Sequence, residues 1–88
     1  MKKRYTYKNR GTCSSEVSFS LEDGVISEVS FRGGCNGNLQ GLSKLAEGMK
    51  AEELTQRLSG IRCGMKPTSC PDQLAKAVTA ALSEEAGA

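Results

Sequence analysis

The sequence predicts an α+β domain, a three-stranded antiparallel sheet covered on one face by helices. Three observations carry this. Apolar and polar residues alternate over short runs in the first third of the chain. An Asp23-Gly24 dipeptide separates two such runs. Beyond residue 38, apolar residues recur at helical spacing between glycines. Alternation marks a half-buried strand, Asp-Gly marks a two-residue hairpin, and a 3.6-residue period marks an amphipathic helix.

Taken in order, Tyr5 and Tyr7 share one face of a basic first strand over residues 3–8. A second strand runs from Glu16 to Leu21, where Val17, Phe19 and Leu21 alternate with Ser18 and Ser20. Val25, Val29 and Phe31 hold period-two positions on a third. One sheet face is therefore apolar and must be covered, while the other is rich in Ser, Glu and Arg. Leu39, Leu42, Leu45, Ala46 and Met49 follow the stretch Gly33-Gly34-Cys35-Asn36-Gly37 and read as a helix stopped at Gly48. Leu54, Leu58 and Ile61 make a shorter helix ending at Gly60. Pro71 suits the first position of a last helix with Leu74, Val78, Ala81 and Leu82 on one stripe. The small, polar tail after about residue 83 is expected to fray.

Residues 1–88 read as one domain without repeats or linkers. A chain this size buries roughly 60 to 65% of its unfolded surface. With two Phe, two Tyr and no Trp, its core is thin, so a metal, disulfide or partner chain would stabilise it usefully. Twelve basic and ten acidic side chains leave a formal charge of +2, too balanced to argue for nucleic acid. The basic start, Lys2, Lys3, Arg4, Lys8 and Arg10 around two tyrosines, reads more simply as a strand with a solvated charged face. No apolar run approaches the ~20 residues of a membrane span and no signal-peptide core follows the basic start. The expectation is a cytosolic protein, where cysteines serve as metal ligands or redox groups more often than as structural disulfides.

Cys13, Cys35, Cys63 and Cys70 are the candidate site. Their spacing is not that of a zinc finger with two close pairs. Their placement is more informative. Cys13 falls in the turn before the second strand and Cys35 in the glycine-rich turn before the first long helix. Cys63 lies in the loop after the short helix, and Cys70, just before Pro71, is placed at the N-cap of the last helix. All four are read on turns and off the apolar stripes, which argues against small core hydrophobes. Helix N-termini favour thiolate over thiol, and the thiolate binds metal. The chain has no His, so a site with four protein ligands is all thiolate or borrows a carboxylate such as Asp72. Four thiolates suit zinc, whose shell they close, or an iron–sulfur cluster; a redox dithiol is the competing use.

The strings Gly33-Gly34-Cys35-Asn36-Gly37-Asn38 and Thr68-Ser69-Cys70-Pro71-Asp72-Gln73-Leu74-Ala75 resemble those of the stand-alone four-cysteine proteins of the TSCPD domain family, named for residues 68–72. The resemblance runs from about Tyr7 to Val78. The same domain occurs near the C-terminus of some cobalamin-dependent ribonucleotide reductases, which implies a link to that enzyme as accessory or thiol-redox partner. Eighty-eight residues cannot hold that enzyme's radical barrel, cobalamin site and nucleotide pocket. In a second, looser likeness, the order of cysteine turn, hairpin, Gly-Cys turn, helix and Cys70 opening a helix is similar to that of NifU-type iron–sulfur scaffolds. On it, Cys13, Cys35 and Cys70 match the three scaffold cysteines, and the family's fold is a three-stranded sheet under helices. The scaffold's Asp after its first cysteine is missing, since Ser14, Ser15 and Glu16 follow Cys13, and Cys63 is extra. A fourth thiolate in place of a labile carboxylate favours a closed site.

Three functions are thus in play: a structural or regulatory zinc module, an iron–sulfur scaffold or carrier, and a thiol partner of ribonucleotide reductase. Sulfur-transfer machinery is the other partner the second reading implies. A hydrolase is disfavoured, with no His base and no carboxylate pair at a useful spacing.

Overall fold

Asp23 and Gly24 both take positive φ (52° and 76°), and Glu22 pairs with Val25 across them. Two positive φ values in a two-residue loop match the twist of the flanking strands, so the hairpin forms where Asp-Gly predicts it. The computed structural model describes residues 2–12, 14–34 and 36–87. Strands β1 (Lys3–Lys8), β2 (Ser14–Glu22) and β3 (Val25–Gly33) form one antiparallel sheet in the order β1-β2-β3. Helices α1 (Asn36–Ala46), α2 (Ala51–Leu58) and α3 (Cys70–Gly87) follow, giving the expected α+β fold.

Register places Tyr5 opposite Phe19, Tyr7 opposite Val17, and Val17 opposite Phe31. The Tyr5, Tyr7 and Phe19 rings stack with centroids 5.7 to 6.3 Å apart. The two tyrosines are thus turned inward. The basic residues beside them are tied within the chain: Lys2 pairs with Glu28 at 2.9 Å and Lys3 with Glu84 at 3.7 Å, while the Arg4 guanidinium donates to the Ser20 and Ser30 hydroxyls and the Glu28 carbonyl. Helix α1 packs along β3, α3 crosses β2, and α2 packs on α3. Phe19, Leu21, Ile26, Leu54 and Leu74 are fully buried between these layers, each worth roughly 1.5–3 kcal/mol over exposure.

Two bulges correct the strand phasing read from the sequence. Ser18 pairs with Ser30 but Ser20 with Ser27, so β3 has one residue more than β2 there, and Glu28 takes φ 53°. The extra residue resets the alternation. Ile26 and Val29 both face the core, and Val25, expected inward, is only half-buried. At the other end Ser14 pairs with Gly33 and Glu16 with Arg32, so β2 carries the extra residue and begins two residues earlier than expected. Ser14 is buried as a result.

The helices differ in three places. Helix α1 stops at Ala46, so Met49 reaches the core from the connecting segment, and Leu45 is exposed rather than on the buried stripe. Helix α2 ends at Leu58, which leaves Ile61 partly exposed beyond it. The tail expected to fray instead continues α3 to Gly87. The Tyr5 hydroxyl donates to Glu85 Oε2 at 2.8 Å and, with the Lys3–Glu84 pair, ties this last turn to β1. Burial, then that carboxylate, push the tyrosine up to about 12, so it stays a donor.

Candidate metal centre

Helix α3 begins in a braced junction. The Ser69 hydroxyl accepts from the Asp72 amide at 3.1 Å and donates to the Ile61 carbonyl at 2.6 Å. Ser69 is therefore the N-cap, three residues before the amide it satisfies. Cys70, expected at the cap, is instead the first helical residue, and Pro71 the second. The pattern Ser-x-x-Asp before an apolar run signals this start, and the pull of Pro71 on the reading hid it. Cys70 lies four residues before Leu74 and is buried with Leu74, Ala77, Val78 and Ala81, so it does continue the apolar stripe of α3.

Asp72 is the other half of the brace. Its carboxylate accepts from the Gly60 amide at 2.7 Å and from the Thr68 hydroxyl, and pairs with Lys76 at 3.4 Å. The Thr68 hydrogen bond foremost, then the Gly60 amide and Lys76, hold this carboxyl below its ordinary range although burial pushes the other way. Both oxygens are occupied, so Asp72 fastens the end of α2 to the start of α3 and is a poor substitute ligand.

The chain next to Cys13 docks on this junction. Arg10 N–H donates to Gln73 Oε1 at 3.0 Å, and Gln73 Nε2 donates to Thr68 Oγ1 at 3.0 Å. Gly11 has φ 74°, and a Cβ there would lie 3.2 Å from Thr68 Cγ2, so glycine permits the close approach. Ser14 Oγ lies 2.9 Å from Cys70 Sγ and accepts from Asn9 Nδ2 at 2.8 Å. With Asn9 donating to it, the Ser14 hydroxyl can direct its own proton at the sulfur, a contact that fixes where the sulfur sits. Ser14 and Asn9 carry no sequence signal of this role. The bulge that turns Ser14 inward leaves no compositional mark.

Cys63 is held by backbone and is exposed. Its amide donates to the Thr68 carbonyl at 3.2 Å, and its carbonyl accepts from Lys66 N–H at 3.0 Å. These bonds close the loop between α2 and α3 on itself, with Gly64 at φ 60° and Met65 fully exposed at its tip. Cys13 and Cys35 lie outside the described residues, and among the described residues no three potential ligands cluster. The neighbours of the two nevertheless belong to this region. Ser14 follows Cys13 and touches Cys70, and Gly33, two residues before Cys35, pairs with Ser14.

Fold and junction define a small α+β domain with cysteine-flanking segments gathered at one end of the sheet. The chain belongs to the TSCPD domain family, whose sequence model matches residues 2–82. No curated protein and no solved structure matches it, so the likeness to NifU-type scaffolds rests on sequence order alone. No helix among the described residues is long and apolar enough to cross a membrane.

Proposed function

We propose that this TSCPD domain is a small metal-binding module in which Cys13, Cys35, Cys63 and Cys70 hold one zinc ion as thiolates, in a structural or regulatory role. The observation that carries the reading is the convergence of the segments beside Cys13 and Cys63 on Thr68–Gln73, with the Ser14 hydroxyl already at the Cys70 sulfur and Gly33, two residues before Cys35, paired with Ser14. Outer hydrogen bonds of this kind orient ligands. Charge agrees. Four thiolates around one divalent ion leave excess negative charge, and Arg10, Arg32, Arg62 and Lys66 flank the segments concerned against two carboxylates, Glu16 and Asp72, the second already paired with Lys76. None of these four cations forms an ion pair among the described residues. Bound zinc would supply no reaction step; it would cross-link four segments of a thin-cored domain. The reading places the domain in a reducing compartment such as the cytosol, where thiols stay available to metal.

One observation favours a second reading, an iron–sulfur scaffold or carrier, or a thiol partner of ribonucleotide reductase or of sulfur-transfer machinery. Cys63 is exposed while Cys70 is buried, which leaves one sulfur open to exchange. Cys63→Ser separates the two. In a closed four-thiolate site the variant releases zinc to a mild chelator far faster than wild type. A variant that holds zinc as tightly as wild type would make Cys63 a spare thiol and favour the carrier.

A further inference from the structure

The outer edge of β3 changes character halfway along. Over Gly24–Ile26 it is occupied by the segment between α1 and α2: Gly48 N–H donates to the Ile26 carbonyl at 2.7 Å, Ile26 N–H to Met49 at 2.8 Å, and Ala51 N–H to Gly24 at 2.8 Å. The Glu28 amide donates to Glu47 Oε1 at 2.8 Å. From Val29 to Gly33, no backbone hydrogen bond leaves this edge among the described residues. An unpaired edge is a template for another strand, and proteins commonly blunt it with proline, a bulge or an inward charge. Here the bulge comes before the open stretch, and residues 29–33 contain no proline. Alongside runs a groove of about 620 Å³ between β3 and α1, lined by Val29, Phe31, Gly33, Leu39, Ser43 and Lys44 among others.

The edge is complementary to itself. Set antiparallel to a second copy and centred on Ser30, it puts Val29 opposite Phe31 and Glu28 opposite Arg32, each twice. Aromatic–aliphatic and opposite-charge pairs are the favourable cross-strand combinations. Both charged side chains are exposed. Arg32 has no ion pair among the described residues, whereas the Glu28 carboxylate pairs with Lys2 and accepts from the Ser20 hydroxyl, so it must turn from them to reach Arg32 of the second copy. The charge pattern thus selects a second copy of this chain over an unrelated extended peptide.

We propose that two copies associate through β3 about a twofold axis at Ser30, joining two three-stranded sheets into one of six strands. Val29 and Phe31 meet their counterparts on the α1 side, where the groove provides room, and Glu28 and Arg32 pair on the open face. A twofold contact of this kind closes on itself and stops at the dimer. The proposal rests on the strand edge alone and is independent of the metal reading.

Sedimentation equilibrium of the full chain, with reductant present so that Cys63 cannot link copies, tests it. A concentration-dependent dimer is expected, weak for so small a contact. Arg32→Glu and Glu28→Arg each place like charges across the axis twice and weaken the dimer by about tenfold or more. An equimolar mixture of the two variants restores it, because the doubly acidic edge meets the doubly basic one. Independently of any variant, amide exchange over Val29–Gly33 slows as wild-type concentration rises. A wild type that stays monomeric up to about 1 mM, exchange that ignores concentration, or a dimer that neither substitution weakens would overturn the proposal. The monomer would leave the edge to a segment of another protein.

Discussion

Cys70 and Cys63 stand at the two ends of one loop, and the protein treats them differently. Cys70 is buried in the first turn of α3, with its sulfur against Ser14 and the chain on both sides pinned by Ser69 and Asp72. Cys63 is exposed, and among the described residues only its backbone is held, through Thr68 and Lys66. One sulfur is positioned by folding; of the other, only the backbone is tied to the same loop, at Thr68. The residues of the family's namesake string have separate duties in that contrast. Thr68 and Asp72 fasten α3 to the end of α2, Ser69 caps the helix, and Cys70 is what they present.

The largest expected effect lies on the cysteines. In the metal-loaded protein, Cys70→Ser and Cys35→Ser each remove a large part of an apparent binding free energy of roughly 10 to 16 kcal/mol. Met49→Leu, a core swap of similar volume, costs under about 1.5 kcal/mol. Thermal melts of the three in parallel show the gap, and equal small shifts would mean that the cysteines are not structural.

The brace comes next. Asp72→Ala leaves the Gly60 amide and the buried Thr68 hydroxyl without their acceptor and destabilises by about 3 kcal/mol. Because the folded carboxyl is held below its ordinary range, the stability it contributes is present above the unfolded pKa, near 3.8, and is lost as pH falls through the depressed folded value. Denaturant midpoints of wild type and variant should therefore converge on acidification below that range. A gap that stays constant would assign the loss to packing.

Ser14→Ala tests the contact at the sulfur. It should leave the fold intact and weaken zinc binding by about tenfold, the usual cost of losing an outer hydrogen bond to a ligand; competition against a chromophoric chelator measures it. Ser69→Ala is the smallest, about 1 kcal/mol for a lost N-cap. Urea titration of the two metal-free variants, set beside that chelator competition, would show Ser69→Ala shifting stability and Ser14→Ala shifting affinity, and the reverse pattern would exchange their roles.

The sheet, its hairpin and the three helices were legible because each rests on a local rule: alternation for β2, Asp23-Gly24 for the turn, and the Leu74–Val78–Ala81 stripe for α3. What stayed hidden is set by non-local pairing. The Ser20–Ser27 register shift turns Ile26 inward, and the shift at Ser14 aims a serine at Cys70; neither changes composition. Leu45 misled because helical spacing marks an apolar position without saying whether anything lies opposite it. Tyr5 and Lys3 hold the end of α3 from more than seventy residues away, where no local pattern reaches.

The central claim is that these segments gather to hold one metal through four sulfurs. Elemental analysis with X-ray absorption at the zinc edge, on protein purified without oxygen, tests it most directly. The account predicts close to one zinc per chain in an all-sulfur shell of four. A fully folded, metal-free protein that takes up neither zinc nor iron would contradict it.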